Sequence, residues 1–94
     1  MKMKILVENH KVGYSSEVVS YKNRKFKISC SNGNSYSRVL VNIITDNGLA
    51  LIADENDIPG CVYISYVSDD ESRKADQLVN IRFAEKYVKM IYDN

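Results

Sequence analysis

The chain reads in two hydrophobic periods. From Met3 to Val67 apolar residues come in short runs, several alternating with polar neighbours, and from Ser68 onward they recur with a period near 3.6. Lys25-Phe26-Lys27-Ile28-Ser29-Cys30 is the clearest example of the first kind. Phe26, Ile28 and Cys30 fall on one face and Lys25, Lys27 and Ser29 on the other, the pattern of a half-buried strand. Residues 3–7 and 14–21 are predicted strands before it, joined by a turn at residues 10–13, and Tyr21-Lys22-Asn23-Arg24 is the connection that follows them. Asn32-Gly33 and Asn47-Gly48 are hairpin signals, because a two-residue type I′ turn needs positive φ at both positions. Between them, residues 35–45 are predicted as a strand on their β-branched content (Val39, Val41, Ile43, Ile44), although Leu40, Ile43 and Ile44 also match a helical period. Residues 49–53 (LALIA) are apolar on both faces, as in a central strand covered on both sides. Residues 54–60 read as a loop, and residues 61–67 (CVYISYV) as the last strand.

The second period predicts one long helix over residues 68–92. Ser68-Asp69-Asp70-Glu71 has the spelling of a capping box, with Ser68 as the N-cap and Glu71 reaching back to it. Acids in the first turn suit the positive end of the helix dipole. Asp69–Arg73, Asp70–Lys74 and Glu85–Lys89 place acid before base four residues apart. Two apolar stripes run along this helix: Ala75, Val79, Phe83, Tyr87 and Met90, and beside it Ile81, Ala84, Val88 and Ile91, with Asn80 between. One sheet face needs an apolar arc of little more than about 100°. Val79, Phe83, Tyr87 and Met90 are therefore expected on the sheet. Ile81, Ala84, Val88 and Ile91 are left for self-association, a homodimer in which Asn80 would help set the register. The fold class is α+β: five to six mostly antiparallel strands in hairpins, then one C-terminal helix packed on the sheet, in a single domain over residues 1–94.

Composition changes this picture little. An apolar content of 45% and a charged content of 27% belong to an ordinary globular domain. The opening apolar run stops at Glu8, shorter than a signal-peptide core, and no run is long enough to span a membrane. The expectation is a cytoplasmic protein with no membrane partner, and its two distant cysteines, Cys30 and Cys61, fit neither a disulfide framework nor a zinc spacing.

Charge is more informative. Residues 1–45 carry eight Lys and Arg against two Asp and Glu, residues 46–72 carry seven acids and no base, and residues 73–94 carry five bases and three acids. The basic excess centres on Lys22, Arg24, Lys25 and Lys27, and the acidic one on Asp54, Glu55 and Asp57. Both clusters are candidate partner-binding groups, since complementary charge steers encounter.

Catalytic chemistry is not indicated. His10 has no acid or cysteine beside it, Cys30 lies on the apolar face of its strand, and Cys61 has no second histidine to activate it. Residues 54–57 could gather oxygen ligands, but Ile58 and Pro59 stand where an EF-hand loop needs a ligand and a glycine. No phosphate loop, nucleotide fingerprint or nucleophile elbow occurs. No enzyme, metal or cofactor is expected; an activity centred on Cys61 or the 54–57 acids is the weakest reading. The leading one is a non-catalytic protein-binding regulator or inhibitor that occupies a surface on a larger partner. A small inhibitor encoded by a phage or mobile element is one concrete form of it, in keeping with a chain rich in Asn, Lys, Ile, Ser and Tyr. Seven tyrosines and no tryptophan supply amphipathic anchors for such a surface. The alternative is a nucleic-acid-binding module that uses the basic hairpin around residues 21–27, where aromatics and cations interleave.

Overall fold

The computed structural model describes residues 3–7, 14–32, 37–64 and 69–93, with side chains described over 14–31, 38–64 and 69–93. Five strands, β1 (Met3–Val7), β2 (Tyr14–Tyr21), β3 (Arg24–Asn32), β4 (Ser37–Thr45) and β5 (Gly48–Asp54), precede one helix, α1 (Asp70–Ile91). The strands lie in sequence order, each antiparallel to its neighbour. The helix packs on β2, β3 and β4. The layout is the α+β one that the change of period predicts, an antiparallel sheet followed by a C-terminal helix. Residues 37–45 are strand, as their β-branched side chains favour.

Register assigns the faces. Ser15, Glu17 and Val19 of β2 pair with Cys30, Ile28 and Phe26 of β3, which pair in turn with Val39, Val41 and Ile43 of β4. Paired residues share a face, so these rows form one surface. The helix covers it, burying Val19, Phe26, Ile28, Cys30, Val39 and Val41. The alternation read over residues 25–30 is therefore the alternation of the core. The opposite face carries Lys25, Ile44 and Leu49 in one row and Lys27, Asn42 and Leu51 in the next.

The turns differ in detail from expectation. Positive φ at two successive non-glycine residues occurs at Lys22 (50°) and Asn23 (65°), between the paired residues Tyr21 and Arg24. A two-residue loop needs this mirror-image geometry to match the twist of its strands, and it is adopted here without a glycine. The β4–β5 hairpin lies where Asn47-Gly48 places it. Its two loop residues are Asp46 and Asn47, however, and Gly48, at φ 112°, is already paired with Thr45. The expected two-residue turn at Asn32-Gly33 is not formed: Asn32 is the last residue of β3 and pairs with Ser37, and residues 33–36 lie outside the described residues.

Three further expectations are corrected. Strand β5 is not central: it is the terminal strand of the sheet, and the helix stops short of it. Residues 61–64 form no strand, and the rest of that segment lies outside the described residues. Among the described residues its backbone is held by a helix side chain, not by a neighbouring strand. The two stripes of α1 are also largely exchanged, although half-buried Tyr87 does pack against the core as expected. Ile81, Ala84 and Val88 are fully buried against the sheet, whereas Val79, Phe83 and Met90 are 39%, 36% and 62% exposed, and Ile91 is 38% exposed.

The helix start is one residue later than the capping box implies. Asp69 is the N-cap; its carboxylate accepts from the Ser72 amide (2.9 Å) and from the Ser72 hydroxyl (3.1 Å). The expected N-cap, Ser68, is outside the described residues. Asp69→Ala is expected to lower stability by about 1 kcal/mol, the usual worth of an N-cap side chain. A denaturation midpoint that does not move would place the start of the helix elsewhere.

Candidate functional site

A row of polar side chains lies between helix and sheet. Asn80, fully buried, brackets Val62 in the segment 61–64 with its carboxamide: Oδ1 accepts from the Val62 amide (2.7 Å), and Nδ2 donates to the Val62 carbonyl (2.9 Å). A strand neighbour would offer the same pair of contacts. The Asn80 Nδ2 also lies 3.8 Å from the Cys30 sulfur. One turn earlier, buried Gln77 accepts from the Ser15 hydroxyl at 2.8 Å.

Beyond these, Arg82 reaches down to fully buried Glu17, donating to both carboxylate oxygens at 2.9 and 3.0 Å, with Glu85 3.5 Å from the same guanidinium nitrogen. Glu85 Oε2 is buried with no hydrogen-bond partner. Two carboxylates thus share one guanidinium. Burial pushes the Glu17 carboxyl above its ordinary value, Arg82 offsets part of that rise, and Glu85 adds to it.

The charged clusters singled out in the sequence are largely turned to structural use. Lys22 pairs with Asp93 at 3.0 Å, the Tyr21 hydroxyl donates to the same carboxylate at 2.6 Å, and Arg24 stacks over the Tyr92 ring. The tip of the basic hairpin therefore clasps the C-terminal end of α1, and Phe26 packs against Tyr92 beneath it. Lys25 and Lys27 are not part of this clasp and lie on the open face of the sheet.

In the acidic loop, Glu55 accepts from the Val39 amide at 2.9 Å and lies 3.6 Å from Arg38. Asp54 accepts from the Asn56 amide, and Asp57 from the Asp54 amide. These are turn-closing bonds. Among the described residues no group of three His, Cys, Asp or Glu is placed to hold a metal.

The cysteines are placed as resting thiols. Burial pushes Cys30 up to about 12. Burial also raises half-buried Cys61, and the Glu55 carboxylate adds to the effect. Both shifts oppose thiolate formation, which a nucleophile requires.

Two exposed apolar surfaces stand out among the described residues. The first is the open face at the sheet edge, where Leu49 and Leu51 are 55% and 58% exposed beside half-buried Ile44 and next to Lys25 and Lys27. Residues 48–53 contain no charge and no proline, so charge and proline do not protect the edge from pairing with another chain; a register shift at Ile52, between the pairs Asn42–Leu51 and Val41–Ala53, interrupts it only toward its end. The second is the outer face of α1. One hollow there, of about 360 Å³, lies between Pro59-Gly60 and Phe83, Tyr87 and Met90, and another, of about 400 Å³, is bounded by Ala75, Leu78, Val79, Arg82 and Phe83. Gly60, at φ 94°, lies against the Phe83 ring where a Cβ would be 2.6 Å from it, so this contact requires glycine.

Sequence reasoning missed the first surface because a two-sided apolar strand reads as central. It missed the second because the wrong stripe of α1 was turned to the sheet. Of the residues assigned to self-association, Ile81, Ala84 and Val88 are core instead. No helix among the described residues is long and apolar enough to cross a membrane. Comparison of the chain with family models, with curated proteins and with solved structures gives no match.

Two predictions follow from the polar row. Asn80→Ala strands both backbone groups of Val62 and is expected to cost about 2 kcal/mol, the scale for partly buried groups left unpaired. An unchanged unfolding free energy would mean that segment 61–64 is held by other contacts. The second concerns acid. Because the folded protein holds the Glu17 proton more tightly than the unfolded chain, stability falls as pH rises above 4.5 and levels off once the folded carboxyl has ionised. Asp69 and Asp93 act in the opposite sense: hydrogen bonds lower both, so their contribution is lost as pH falls below 3.8. Urea unfolding between about pH 4 and 7 should give a steeper decline for the wild type than for Glu17→Gln. Parallel profiles would contradict the assignment.

Proposed function

We propose that this protein is a non-catalytic binding protein, a regulator or inhibitor that acts by occupying a surface on a larger protein, and that it does so through the open face and edge of β5. The observation that carries this reading is the exposure of Leu49 and Leu51 on an edge strand that is uncharged over residues 48–53. An edge of this kind offers unpaired backbone groups to an incoming strand, and alternate side chains give the contact its specificity. Lys25 and Lys27 lie on the same face, in the rows that contain Leu49 and Leu51. They favour a partner with carboxylates beside its apolar contact, and such charges act mainly on encounter and selectivity. The nucleic-acid reading is less well supported, because Lys22 and Arg24 are engaged by Asp93 and Tyr92. Two lysines beside exposed leucines are a thin phosphate track.

Affinity capture from host lysate with the wild type, Leu51→Lys and the double variant Lys25→Glu/Lys27→Glu tests this reading. A protein retained by the wild type should be lost with Leu51→Lys and should associate more slowly with the double variant, while the thermal transitions of all three stay close together. Equal capture by all three would exclude the β5 face. An oligonucleotide shift that weakens steeply with salt would favour nucleic acid instead.

A further inference from the structure

The outer face of α1 is independent of the β5 face, since the two lie on opposite sides of the sheet. Ser72, Asp76, Val79, Phe83, Lys86 and Met90 succeed one another at intervals of four, three, four, three and four residues. That alternation lets one seam of a helix lie against a second helix. At 100° per residue all six fall within about 40° of the direction opposite Ile81. Ile81 itself is fully buried against the sheet, so the seam points away from it.

We propose that α1 pairs through this seam with α1 of a second copy, antiparallel, about a two-fold axis beside position 81. The spacing is symmetric about that position, so Val79 of one copy faces Phe83 of the other, Asp76 faces Lys86, and Ser72 faces Met90. An isologous contact makes each of these pairs twice. The central pairs bring together Val79 and Phe83, both exposed in the single chain. The hollows on either side of the Phe83 ring receive the side chains of the second helix.

Charge selects both the occupant and its direction. Asp76 and Lys86 are the only charged members of the seam, and neither makes an ion pair with another described residue. In the antiparallel arrangement each meets its opposite. A parallel pairing would set Asp76 against Asp76 and Lys86 against Lys86, which is unfavourable. The contact strip, from residue 72 to residue 90, is about 27 Å long and one helix wide. That is at the low end for a specific interface, so the dimer dissociates on dilution. Dimerisation leaves both β5 faces open and doubles whatever they bind.

Sedimentation equilibrium of the full chain from about 1 to 500 μM is the test, because mass action makes the dimer fraction rise with concentration. The wild type should be increasingly dimeric across this range. Asp76→Lys alone and Lys86→Glu alone should each remain monomeric, since each sets like charges together. Their equimolar mixture should dimerise at wild-type concentrations, because every introduced charge then meets its opposite on the other chain. A wild type monomeric throughout overturns the proposal, as does a dimer indifferent to both substitutions. A mixture that stays monomeric overturns the antiparallel register.

Discussion

The carboxamide of Asn80, closed on both backbone groups of Val62, is the contact on which the rest of the structure depends. It ties the segment after the β5 loop to the middle of α1, where among the described residues no strand pairs with it. It also fixes the rotation of the helix. With Asn80 turned inward, Gln77 meets Ser15 and Arg82 meets Glu17, and the apolar residues brought to the sheet with them are Ile81, Ala84 and Val88. Turning the other apolar stripe inward would bury Phe83 and Met90, but would leave Glu17, Ser15 and Val62 without these partners. An unpartnered buried polar group costs about as much as burying a methyl group or two gains, and several together decide the outcome.

The Glu17–Arg82–Glu85 cluster is the expensive part of this arrangement. A fully buried carboxylate with one guanidinium beside it and a second carboxylate nearby is seldom a net source of stability. Its physical effect is orientation. Only one rotation and one axial setting of α1 bring Arg82 over Glu17, and the clasp of Lys22, Tyr21 and Arg24 on Asp93 and Tyr92 fixes the far end of the helix in the same setting. The charges that stood out in the sequence as possible contacts for a partner mostly hold the chain to itself.

With most of those charges engaged internally, the most prominent apolar surface among the described residues lies in two places. Among the described residues the sheet has a helix on one face, and its other face at β5 meets solvent with Leu49 and Leu51. The helix has two apolar stripes and one sheet to pack on, so its second stripe meets solvent as well. Both follow from one imbalance: a chain of this length has more apolar surface than one helix and one sheet can bury against each other. On the proposed reading, these are the surfaces that another chain covers.

Most elements were legible from local period, on which element type depends, the expected strand at residues 61–67 being the exception. The alternation from Lys25 to Cys30 gives β3 and its buried face, the β-branched run after it gives β4, and the 3.6-residue period with acids at its start gives α1 within two residues of its true beginning. Lys22-Asn23 was legible as a connection. Its mirror-image turn was not, because that is set by the pairing of Tyr21 with Arg24 and not by a glycine. Tertiary structure alone decided three things: that β5 lies at an edge, that residues 61–64 hang from a helix side chain, and that the Ile81 stripe is core while the Phe83 stripe is surface. Each depends on partners far apart in the chain, such as Glu17 with Arg82 and Val62 with Asn80. Two stripes of similar hydrophobicity on one helix are equivalent until those distant polar groups choose between them.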